Sequence, residues 1–139
     1  MIVVDTNVIS ELMRPSPDPA VVNWVRTHSQ RELYTTSVTL AEVRYGIERL
    51  EVGRRKESFR SAAEEIFAAF DEYVLPFDRA AAIQYASIVS GRERAGLPID
   101  GFDAQIAAIC CTHEATLATR NVKDFKDTGI EVTDPWRMS

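Results

Sequence analysis

The chain has 139 residues, 45% of them hydrophobic, which suffices for one ordinary domain with a full core and argues against a disordered chain. With 21 acids against 16 bases the net charge is −5, which argues against a protein that coats nucleic acid through phosphate contacts but is compatible with chemistry on nucleic acid through a bound divalent metal. No window approaches the ~18 consecutive apolar residues of a membrane span, and the opening Met1-Ile2-Val3-Val4-Asp5 lacks the basic start of a secretory signal. Adjacent Cys110 and Cys111 read as buried thiols in a reducing compartment, so a cytoplasmic protein is expected.

Ile2-Val3-Val4 is a short apolar run that predicts a strand buried on both faces and ending at Asp5. A short helix is expected from Asn7 to Met13, stopped by Pro15-Ser16-Pro17, and a second opens at Pro19 with Val22, Trp24 and Val25 inward. Leu33 to Ser37 predicts a strand, and Leu40 to Leu50 a helix with Leu40, Val43, Ile47 and Leu50 on one face. Gly53-Arg54-Arg55-Lys56 reads as a polar break before a helix from Glu57 to Phe70 that turns Phe59, Ala63, Ile66, Phe67 and Phe70 to the core.

Val74 to Phe77 predicts a short strand, and Asp78 the cap of a helix reaching Arg94. After a loop from Gly96 to Gly101, an apolar helix runs from Phe102 to His113 with Ile106, Ile109 and Cys110 inside; strands follow at Thr116–Thr119 and Glu131–Thr133. Short buried strands alternating with helices predict one α/β domain over residues 1–139, with a mainly parallel sheet flanked by helices.

Ligands of such sheets bind at the carboxyl ends of the strands. Asp5 falls there directly. Glu42 falls in the first turn of the helix leaving the second strand. Asp103 falls in the first turn of the helix feeding Thr116–Thr119, and Asn121 and Asp124 follow that strand. Carboxylates gathered at one rim repel each other, and a hard cation such as Mg²⁺ relieves that cost while acidifying a water. The two histidines, His28 and His113, and the paired cysteines form no zinc-ligand spacing.

Each acid also has a plainer reading. Asp5 can end a strand, Thr39-Leu40-Ala41-Glu42 fits a capping box in which Glu42 satisfies the Thr39 amide, and Asp103 can face a helix dipole. Asp100 is the better plain cap. The combination raises a functional reading above these.

Met1-Ile2-Val3-Val4-Asp5-Thr6-Asn7-Val8-Ile9-Ser10, Thr39 to Gly46, Asp103 to Ala108 and Thr119 to Phe125 resemble, in order and spacing, the motifs of PIN-domain nucleases, specifically the VapC-type toxins of bacterial VapBC toxin–antitoxin modules. The resemblance implies a PIN-like three-layer sandwich and endoribonuclease activity requiring Mg²⁺ or Mn²⁺. It also implies a homodimer and neutralisation by a cognate antitoxin. Asp5 and Asp103 are then the main metal ligands, with Glu42 completing the shell or orienting the water that attacks the RNA phosphodiester in line. Such hydrolysis leaves a 5′-phosphate and a 3′-hydroxyl. Thr6 and Thr119 are secondary candidates. Where some members carry a fourth acid this chain has neutral Asn121, with Asp124 nearby.

Other classes fit less well. A receiver-like signalling domain needs a paired acid near its first strand and a lysine after a late one, and Lys123 is poorly placed. An aspartyl phosphatase needs an acid where Asn7 stands. A catalytically degenerate partner-binding protein acting in autoregulation is the remaining alternative. Arg54, Arg55 and Lys56 read as a solvated helix start before they read as phosphate contacts. Phe59, Phe67 and Phe70 read as core, or as the lining of a groove for an antitoxin helix.

Overall fold

The computed structural model describes residues 1–137. Five strands, β1 (Ile2–Val4), β2 (Leu33–Thr36), β3 (Val74–Leu75), β4 (Thr116–Ala118) and β5 (Val132–Thr133), form one sheet in the order β3-β2-β1-β4-β5, and every pairing is parallel. β1 is central because its residues can be covered on both sides. Val3 packs with Leu117 and the helices α5 (Arg79–Arg94) and α6 (Gly101–His113), whereas Val4 packs with Ala118 under α1 (Thr6–Leu12), α2 (Pro19–Arg26), α3 (Ser37–Glu48) and α4 (Arg54–Phe70). Alternation with period two sends neighbouring strand residues to opposite cores, which gives the three layers expected. No helix among the described residues is long and apolar enough to cross a membrane.

Side-chain caps start most of the helices. Asp5, Asp18, Thr36, Asp78 and Asp100 each accept a hydrogen bond from a backbone N–H in the first turn of α1, α2, α3, α5 and α6, respectively. α6 ends with Glu114 in the left-handed region at φ 52°.

Several boundaries differ from expectation. β2 stops at Thr36, and α3 begins at Ser37 rather than Leu40, because Thr36 and not Thr39 caps it; Val38 and Thr39 are buried and Leu40 only half-buried. In α2 it is Val21 with Trp24 that is fully covered, and Val22 and Val25 lie at the margin. β3 ends at Leu75, β4 at Ala118, and β5 begins at Val132.

The basic segment after Gly53 is no break. α4 already starts at Arg54, with cations where its own dipole disfavours them. Neighbours offset this: Lys56 Nζ donates to the Glu48 carbonyl at the end of α3, Arg60 pairs with Glu48, and the Arg55 guanidinium lies over the Phe59 ring. Phe59, Phe67 and Phe70 are half-buried against the core beneath α1–α4, and of α4 only Ala63 is fully covered. Cys110 is buried, whereas Cys111 is half-buried.

Candidate active site

At Asp5 the chain leaves β1 and enters α1. Oδ1 accepts from the Thr6 amide at 2.8 Å, and Oδ2 accepts from Thr119 Oγ1 at 2.7 Å. The Thr119 hydroxyl in turn accepts from Asn7 Nδ2 at 3.0 Å and from the Asn121 amide at 3.1 Å, while Asn7 Oδ1 accepts from the Arg120 amide at 3.2 Å. These bonds lace together the carboxyl ends of β1 and β4, the neighbours between which the strand order reverses. That crevice is where open parallel sheets bind ligands.

Glu42 arrives from α3. Because α3 starts at Ser37, Glu42 sits in its second turn, not the first. The capping-box reading is also overturned: the Thr39 amide donates to Thr36 Oγ1 at 3.0 Å, and Glu42 Oε1 instead accepts from Thr6 Oγ1 at 2.8 Å. A side chain released from capping duty is tied to the helix that carries Asp5.

Asp103 stands in the first turn of α6. The capping of α6 falls to Asp100, whose Oδ2 accepts from the amides of Phe102 and Asp103 at 3.1 and 3.4 Å. Among the described residues the Asp103 carboxylate accepts no such bond. Burial pushes its pKa up to about 7, helped by the charges of Asp5, Asp100, Asp124 and Glu42. Asp5 and Glu42 are also raised, chiefly by burial, against the lowering effect of their threonine partners.

Asp5, Thr6, Glu42, Asp103 and Asn121 line one open cleft of about 580 Å³. Thr119 is fully buried beneath it. Asp124 lies outside the cleft wall, on the 3-10 turn Val122–Phe125, although its charge acts on both Asp5 and Asp103. Sequence reasoning missed Asn7 as a tie between strands, and Phe59, Arg120 and Trp136 as lining of the cleft. For Asn7 the signal was available, since it is a polar residue in the first helical turn after the strand end. For Trp136, far from the acids in sequence, there was none.

The donor set is all oxygen, and its members raise one another's proton affinity, so the arrangement suits a hard divalent cation. Among the described residues no group of three His, Cys, Asp or Glu side chains is spaced to hold an ion unaided. The fit is therefore to a cation that takes one or two carboxylates directly and completes its shell with water, the habit of Mg²⁺.

Comparison with known proteins gives a consistent picture. The PIN-domain family model matches residues 2–131. The chain is 37% identical to VapC ribonuclease Y4jK of Sinorhizobium fredii over 98% of each protein. It is 37% identical to toxin FitB of Neisseria gonorrhoeae over 98% of this chain and 99% of that one. The crystal structure of FitAcB from Neisseria gonorrhoeae superposes with a TM-score of 0.92 at 37% identity, covering 99% of this chain and 100% of the other.

Proposed function

The chain belongs to the PIN-domain family, and from that premise we propose that it is a metal-dependent endoribonuclease, the toxin of a type II toxin–antitoxin pair, held inactive by a cognate antitoxin. The observation that carries this reading is the convergence of Asp5, Glu42 and Asp103 on one cleft at the reversal of strand order, with Asp5 locked by Thr119. The names of its relatives, a VapC ribonuclease and a toxin, supply the substrate class.

Asp5 and Asp103 would hold the cation, Mg²⁺ or Mn²⁺, and Glu42 would complete the shell or orient the attacking water. When bound, the cation neutralises the acids, offsets the phosphate charge and acidifies that water. The Thr119 hydroxyl and the Thr6 amide each donate to one oxygen of Asp5 and so keep its carboxylate in one rotamer. Thr6 does the same for Glu42. With Asn121 neutral, the fourth acid is Asp124, which acts through its field from the adjoining turn. We place the protein in the cytoplasm, as a homodimer whose antitoxin covers the cleft.

The test incubates purified protein with RNA, with and without Mg²⁺ or Mn²⁺, beside Asp5→Asn and Asp103→Asn. Metal-dependent cleavage leaving 5′-phosphate ends, lost in both variants, is expected. Cleavage that survives EDTA or both substitutions would sink the reading.

A further inference from the structure

The cleft has two chemically different kinds of lining residue: besides the acids, it is lined by Arg14, Phe59, Arg120 and Trp136. Of the two cations, Arg14 is committed: its Nη1 donates to both oxygens of the buried Glu11 carboxylate, at 3.2 and 3.1 Å. Arg120 pairs with no carboxylate among the described residues. Its guanidinium lies over the Trp136 ring, 5.1 Å from the centroid.

Both partners of this stack are anchored. The Arg120 amide donates to Asn7, and Arg120 directly follows Thr119, which holds Asp5. The Trp136 amide donates to Asp134 Oδ1 at 2.9 Å, and its indole packs on the core beneath α1–α4. Arg120 is exposed, so the guanidinium face turned away from the indole is open to a ligand. Arg120 also lines a second cleft of about 460 Å³, shared with Lys123 and Arg137. It therefore lines both the acid cleft and a mixed one, where Asp124 and Asp134 also stand, Arg137 pairs with Asp134 at 3.7 Å, and Lys123 pairs with no carboxylate among the described residues.

We propose that the Arg120–Trp136 stack is the platform on which this protein seats a nucleobase of a single RNA strand. A nucleobase beside the scissile phosphate stacks on the guanidinium, and the strand crosses Arg120 into the second cleft, where Lys123 meets its next phosphate. The proposal rests on the nuclease reading and adds the residues that seat the base. Unpaired bases offer π-faces to arginine and aromatic planes, whereas duplex bases stack on one another. A chain of net charge −5 with an acid cleft repels a polyanion, so local cations must supply the hold.

The test reads binding and turnover separately. Anisotropy of a short labelled oligoribonucleotide, single-stranded or duplex, is measured with Mg²⁺ on the Asp5→Asn protein, and on that protein carrying Arg120→Ala, Arg120→Lys or Trp136→Phe. Steady-state cleavage uses the same Arg120 and Trp136 changes with Asp5 intact. Single strands should bind at least about tenfold more tightly than duplex, and Arg120→Ala should weaken binding and raise KM by about tenfold with kcat little changed. Arg120→Lys should restore only part, because it keeps charge but loses the plane. Trp136→Phe should lose less than Arg120→Ala.

Equal binding of single strand and duplex overturns the proposal, as does an unchanged KM in an Arg120→Ala protein that melts like wild type. So does intact RNA binding by Arg120→Ala with lost binding of polyglutamate, which would make the stack a protein contact. Arg120-dependent binding of single strands without any cleavage would instead support the platform and overturn the nuclease reading.

Discussion

Arg92, near the end of α5, and Asp103, at the start of α6, are titratable groups drawn wholly and half out of water, respectively, in opposite company. Arg92 is 5% exposed, and its guanidinium donates to the carbonyls of Leu97, Asp124 and Lys126. Glu11 is a second case of this kind: buried, it accepts from Arg14 and from the Asp18 amide. Asp103 has acids for neighbours and no donor among the described residues, and burial with their charges lifts it to about 7. Burial of charge is thus common to bolts and to active sites. What separates them is whether the fold supplies the counterpart or leaves it to a ligand.

The largest way to break this comparison is to remove a bolt. Arg92→Leu leaves three carbonyls short of a donor and frees the turn that carries Asp124. A loss of about 3 kcal/mol in denaturant unfolding is expected. A loss below about 1 kcal/mol would show that water replaces the guanidinium.

Thr119→Val tests the opposite region, where a satisfied group supports an unsatisfied one. It deletes the donor to Asp5 and the acceptor for Asn7 and Asn121. Metal affinity by calorimetry and RNA cleavage should each fall by about 10- to 100-fold. Thr119→Ser, which keeps the hydroxyl, should recover most of both.

A smaller and smoother effect should follow pH in metal-free protein. The Asp103 pKa rises from 3.8 to about 7 on folding, so the folded chain holds a proton the unfolded chain releases. Its contribution to stability is full below 3.8 and fades as pH climbs through about 7. Asp5 and Glu42 shift in the same direction and add to the slope. Thermal melts should show it, flattened in Asp103→Asn. Added Mg²⁺ or Mn²⁺ should raise the melting temperature more at about pH 8 than at about pH 5, because the cation competes with those protons. Equal metal shifts at both would place the binding elsewhere.

Much of the frame was legible in the residues. Ile2-Val3-Val4 could only be a strand covered on both sides, and Asp78 and Asp100 cap the helices that their positions promised. That placed Asp5 and Asp103 at one rim. Glu42 was less legible because Thr36 and Thr39 both satisfy the local rule for a helix start. Only the burial of Val38 and Thr39 decides between them, and burial is a tertiary fact. The start of α4 was hidden for the same reason, since Lys56 and Arg60 gain partners on α3 that no local pattern reveals. The Arg120–Trp136 part of the cleft lining was invisible: the two meet only because β5 returns the chain beside β4.

The pairing of β1 with β4 also sets a schedule for synthesis. Asp5 emerges from the ribosome early, but its Thr119 partner and the strand that carries it lie more than a hundred residues later. At roughly 5–20 residues per second, several seconds separate the two. Until then β1 has only β2 beside it, and Asp103 has no finished rim to join. The cleft can accordingly assemble only after β4 has left the ribosome, so a nascent chain carries its acids for most of its synthesis without the site they form.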